Sequence, residues 1–85
     1  MPYITQARRP HFAEAYTLGL KAQTPGELNY VLTRVVLGYL GSIAACGYAD
    51  FNEVMGVLES CKLELYRRLL APYEDAKIEE NGDVR

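Results

Sequence analysis

Apolar residues recur along this chain at intervals of three and four, the period of helices with one covered face. Phe12, Ala15, Tyr16, Gly19 and Leu20 share one side of a first helix. Its expected start is near Pro10, since proline suits a first helical turn, and its expected end is near Gln23. The residues before it, 1–9, read as an extended or turn-like start. Thr5 can cap a turn there, but Pro10 would remove a bond from any helix begun so early.

The second helix has the clearest start. Thr24-Pro25-Gly26-Glu27 is a capping box with proline at the first helical position. In such a box the Thr24 hydroxyl accepts from the Glu27 N–H, and the Glu27 carboxylate returns to the N–H of Thr24. Leu28, Val31, Leu32, Val35, Tyr39 and Ile43 form the core stripe, with an expected end at Ala45 or Cys46 and Gly47 as left-handed terminator. A third helix of about five turns follows, with Asp50 as cap and a stripe of Phe51, Val54, Met55, Leu58, Cys61, Leu65 and Leu69. It is expected to run from Phe51 to about Leu70, where Ala71-Pro72 bends or breaks it. Tyr73 to Glu80 then forms a shorter helix stopped by Gly82, in preference to a hairpin turn at Asn81-Gly82, because the flanks are acidic and poor in β-formers. The fold class is therefore all-α: a small bundle of three main helices plus a short C-terminal helix, with 1–85 as one domain and 81–85 as a flexible end.

Composition narrows the function classes. Of 85 residues, 49% are apolar and 24% charged, which is globular rather than disordered composition. The net charge of −2 disfavours bulk electrostatic attachment to nucleic acid or to an anionic membrane. Neither a secretory leader nor a membrane span is expected. The opening residues lack an apolar run, and the longest apolar stretch, Val35 to Cys46, is short and broken by Gly38, Gly41 and Ser42. Cys46 and Cys61 lack metal-ligand spacing and read as reduced thiols of a cytoplasmic protein. The stretch from Tyr73 onward carries five acids and two bases and reads as a solvated surface.

Several segments carry a family likeness: Met1 to Gln6, Gly26 to Arg34, Asn52 to Arg68, Ala71 to Asp75 and Lys77 to Val84. In these the chain resembles a family of short uncharacterised proteins from bacteria and their phages that open Met-Pro-Tyr-Ile and end Lys-Ile-Glu-Glu-Asn-Gly-Asp-Val. The resemblance implies a small helical protein of phage or prophage type and brings no catalytic residue and no cofactor.

Candidate chemistry is sparse. His11, the only histidine, sits beside Pro10 at a helix start, and neither cysteine has a local base. Gly38, Gly41 and Gly56 are spaced within helices rather than in a phosphate loop and fit close helix–helix approach. Glu59 and Glu64 fall on different faces, so no metal site is expected and a small metal-dependent hydrolase ranks last. A helix-turn-helix around Gly47 would turn Asp50, Glu53 and Glu59 toward phosphate, which opposes DNA binding. The most informative polar residue is Lys62, which interrupts the stripe of Met55, Leu58, Leu65 and Leu69. It can pair with Glu59 in a shielded site or snorkel out. With Asn29, Arg34 and Tyr66, this pair could form a pocket for a small anion, or only an ion-pair network that fixes helix register.

The second helix also has an apolar or small outer side: Tyr30, Thr33, Leu37, Gly41 and Ala44. Between Glu27 and Asp50 the only charge is Arg34. A helix in a monomeric bundle should carry charge on its outer face. The expected function is thus a self-associating interaction or assembly module, dimeric or of higher even number, with another phage or host protein as a further partner. A small-anion or nucleic-acid binder around Arg34 and Lys62 is the alternative.

Overall fold

The computed structural model describes residues 2–85; Met1, the first residue of the expected extended start, lies outside the described residues. The chain is all-α, a small helical bundle with four α-helices and no strand among the described residues. They are α1 (Glu14–Lys21), α2 (Pro25–Leu40), α3 (Tyr48–Leu65) and α4 (Ala71–Asn81). Two compact units divide the chain, one holding Tyr3–Val54 and the other built on Met55–Arg85. No helix among the described residues is long and apolar enough to cross a membrane.

In the first unit, the helix expected from Pro10 becomes α-helical only at Glu14. Gln6–Phe12 is a 3₁₀ helix with Pro10 inside it. An α-helix would drive the proline ring into the carbonyl four residues back, that of Gln6. The tighter turns avoid this, and the Ala13 N–H donates to the Pro10 carbonyl at 3.4 Å. α1 stops at Lys21, two residues early, because Ala22 turns extended. The short link to α2 makes an αα-hairpin.

The capping box forms with one change. Thr24 Oγ1 accepts from the Glu27 N–H at 3.1 Å, but the Glu27 carboxylate accepts from Gln23 N–H at 2.8 Å rather than from Thr24. Thr24 is extended, as a residue before proline prefers, and this brings the preceding amide within reach of Glu27.

The far end of α2 departs more from expectation. The helix ends at Leu40, and the terminator is Gly41, not Gly47. Gly41 has φ 69° and ψ −119°, a conformation that side chains with a Cβ resist. A short 3₁₀ turn, Ile43–Ala45, follows. α3 then starts at Tyr48, so Asp50 is not its cap. Asp50 sits in the first turn, where its carboxylate accepts from the Gly47 N–H at 2.9 Å, the returning half of a capping box. Cys46 Sγ lies 3.3 Å from the Ser42 carbonyl oxygen and 3.5 Å from that of Leu40. Tyr39 donates its hydroxyl proton to Glu53 at 2.7 Å and so ties α2 to α3. Val54 beside this corner, 5% exposed, is the one buried side chain among the described residues.

In the second unit the helix does not break at Ala71-Pro72. Tyr66–Leu70 forms a π-helical turn, and the Ala71 N–H donates to the Tyr66 carbonyl five residues back. The wider turn shifts the bonding register ahead of Pro72, which has no N–H to give, and α4 continues to Asn81. Tyr66 donates its hydroxyl proton to Glu74 at 2.8 Å across this turn. Gly82 stops the helix, with φ 86° and its N–H on the Ile78 carbonyl at 2.7 Å.

The glycines separate cleanly by role. A Cβ at Gly38 or Gly56 would meet nothing within 4 Å, so within the chain neither marks a close approach. Gly41→Ala is expected to cost on the order of 1–3 kcal/mol through backbone strain. Gly56→Ala, inside α3, is expected to gain up to about 1 kcal/mol. Thermal melting of the two variants checks this, and equal shifts would refute a conformational role for Gly41.

Candidate interaction surface

α2 places its apolar residues on both sides of the hairpin. Leu28, Leu32, Val35 and Tyr39 follow one another at spacings of four, three and four, which keeps them on one face. Their exposures are 46%, 47%, 57% and 67%; of the other two residues expected in the core stripe, Val31 is half-buried and Ile43 lies past the helix end in the 3₁₀ turn, so the stripe is only partly covered in the chain itself. Phe12 of the 3₁₀ helix and Leu18 of α1 flank it, and with Leu28, Leu32 and Val35 they line a groove of about 310 Å³ that Glu14 also lines. A second concavity, about 510 Å³, lies by the hairpin turn between Lys21, Glu27 and Tyr30.

The outer face is shorter than the sequence suggests. Tyr30, Thr33 and Leu37 share it and are all exposed. Gly41 and Ala44 do not continue it, because α2 ends at Leu40 and Ala44 belongs to the 3₁₀ turn. Thr33 spends its hydroxyl proton locally, 2.8 Å from the Asn29 carbonyl oxygen and 3.2 Å from Asn29 Oδ1. The half-buried residues of α2 are Val31, Val36 and Leu40. Val36 and Leu40 lie on the flank between the two faces.

The five residues of the candidate anion pocket divide between the units. Asn29 and Arg34 stand on α2 in the first; Glu59, Lys62 and Tyr66 belong to the second. Lys62 does pair with Glu59, at 3.5 Å, but at the surface: the two side chains are 71% and 56% exposed. The expected shielding is absent because the stripe around Lys62 is itself exposed, Met55, Leu58, Leu65 and Leu69 included. Tyr66 turns to Glu74, not to Lys62. The same unit carries Arg67–Glu64 at 2.9 Å and Lys77–Glu80 at 3.0 Å, spaced as helical ion pairs are.

Further polar chemistry is local. His11 packs edge-on near Phe12, whose ring also lies under the Arg8 guanidinium at 5.5 Å. Both cysteines are free; Cys61 is exposed and Cys46 half-buried. Among the described residues no three His, Cys, Asp or Glu side chains group closely enough to hold a metal ion. The features that sequence reasoning missed are the two tyrosine–carboxylate bonds. Their i,i+14 and i,i+8 separations fall outside the i,i+4 rule, and only the corner and the π turn bring them together.

Fold and surface thus define a small all-α protein whose distinguishing feature is uncovered apolar helix surface rather than a polar centre. The chain belongs to the family described as Domain of unknown function (DUF6899), which matches it over residues 1–84. No curated protein and no solved structure matches it.

Two outcomes follow from this geometry. Lys62→Ala should change stability by less than about 0.5 kcal/mol, as at other exposed ion pairs. A loss of several kcal/mol on chemical denaturation would contradict the exposed setting of this pair.

The second outcome concerns alkaline pH. The hydrogen bond to Glu53, then the charge of that carboxylate, holds the Tyr39 phenol above its ordinary value of 10.0. Glu74 acts on Tyr66 in the same order. A raised folded pKa favours the protonated phenol, so this contribution is complete below pH 10 and is lost as pH rises through the folded value. Circular dichroism followed upward from pH 9 or so should show helix loss that is smaller in the Tyr39→Phe, Tyr66→Phe double variant. An identical alkaline profile for both proteins would contradict it.

Proposed function

We propose that this protein is a self-associating interaction or assembly module, a homodimer or a higher even-numbered assembly of helical protomers. One observation carries the reading: α2 is apolar along two sides and neither is fully covered within the chain. Charge is nearly missing from the stretch where solvent contact would call for it, with Arg34 alone between Glu27 and Asp50. A symmetric partner supplies cover that an 85-residue chain has little material to supply itself.

The setting in this proposal is the cytoplasm of a bacterium, with the protein of phage or prophage type, as its resemblance to bacterial and phage proteins suggests. A second phage or host protein would then bind the assembled form. The anion-binding alternative has less support, because Lys62 already has a carboxylate partner and Tyr66 another.

Light scattering at micromolar concentration tests the reading. The expected mass is at least twice the 9.5 kDa of one chain, in an even multiple. A mass of one chain across the concentration range rejects it.

A further inference from the structure

We infer that the face of α2 bearing Leu28, Leu32, Val35 and Tyr39 is covered by the same face of a second copy, so that two α1–α2 hairpins close into one intermolecular four-helix bundle. This rests on the self-association reading and names the contact that would carry it.

The first support is the spacing. Steps of four, three and four are those of the seam between helices that pack side chains into one another's gaps. All four side chains keep roughly half or more of their surface in solvent, from 46% at Leu28 to 67% at Tyr39. Phe12 of the preceding 3₁₀ helix and Leu18 of α1 flank Leu28, Leu32 and Val35, so this part of the seam lies in a groove rather than on a ridge, and a groove receives a helix. Two hairpins paired in this way give the standard arrangement of four helices around one core.

The second support is area. The chain exposes 7593 Å², whereas a folded monomer of 9.5 kDa exposes about 5,000 Å² by the mass scaling. The surplus is about half the expected surface, and most large apolar side chains contribute to it. Obligate homodimers bury roughly 2,000–5,000 Å² in total, and the surplus of two chains lies at the top of that range, so pairing through the seam removes part of it.

The third support is charge and symmetry. A two-fold contact sets a patch against its own copy, so any charge on the patch meets a like charge. The α2 seam carries none, and Arg34 lies away from it around the helix; the charge that lines the groove, Glu14, stands on α1 beside the seam. The outer face is the weaker candidate. Gly41 ends the helix before that face can lengthen, leaving Tyr30, Thr33 and Leu37, of which only Leu37 is aliphatic.

Cysteine cross-linking tests the seam. In a chain with the exposed Cys61 replaced by serine, Leu32→Cys and Val35→Cys stand near the middle of α2, where a two-fold partner brings like positions together. Mild oxidation of either variant, or of the two mixed, should move most of the chain to a disulfide-linked dimer on a non-reducing gel. Leu37→Cys and the Cys61→Ser parent should stay single. Circular dichroism establishes that each variant keeps its helix content, and the melting temperature of the parent should rise with protein concentration. An even-numbered mass with cross-linking only through Leu37→Cys, or through none of the three, overturns the seam while leaving self-association standing. A mass of one chain at every concentration overturns both.

Discussion

A helix that is apolar on two sides needs cover on both, and α2 has little on either. An isolated helix of this length is marginal in water, and packing supplies most of its stability. Complete burial of a leucine or valine is worth about 1.5–3 kcal/mol, so each half-covered one on α2 forgoes roughly half of that, against a whole folding margin of about 5–15 kcal/mol. Covering four or five such side chains is therefore a substantial part of the margin. Among the described residues Val54, 5% exposed, is the one buried side chain, so little of the apolar surface is covered within the chain.

The local bonding is well arranged in spite of this. The start of α2 meets its polar needs through Thr24 and Glu27, and the corner into α3 does so through Gly41, Cys46, Gly47 and Asp50. Tyr39 and Tyr66 each bond a carboxylate that lies beyond ordinary helical reach. These contacts fix where helices begin, end and turn. They add little burial, so they define the path of the chain more than they stabilise it.

Residue pattern alone was enough for the helices and several of their limits. The period of three and four marks each helix, Thr24-Pro25-Gly26-Glu27 marks the start of α2, and Gly82 marks the last stop, because these signals act within one or two turns. The errors fall where local signals compete. Gly41 and Gly47 are both plausible terminators by type, and only the backbone at Gly41 takes the positive φ. Pro72 reads as a break, but a π turn absorbs it by changing register upstream. Pro10 reads as a helix start and instead sits within a 3₁₀ helix, since the turns before it were already forming.

The candidate site divides along the same line. Sequence determined that α2 is nearly uncharged and apolar on two sides, and that Glu59 and Lys62 lie within one turn, because both follow from residue type and helical period. Tertiary structure decided that the expected core stripe, Leu28 to Ile43, is cut at Leu40 and only partly covered, that the outer face stops short of Gly41, and that the Lys62–Glu59 pair is open to water. Periodicity tells which residues share a face. Whether a face is covered depends on what else packs against it, and that is a property of the folded chain rather than of the helix.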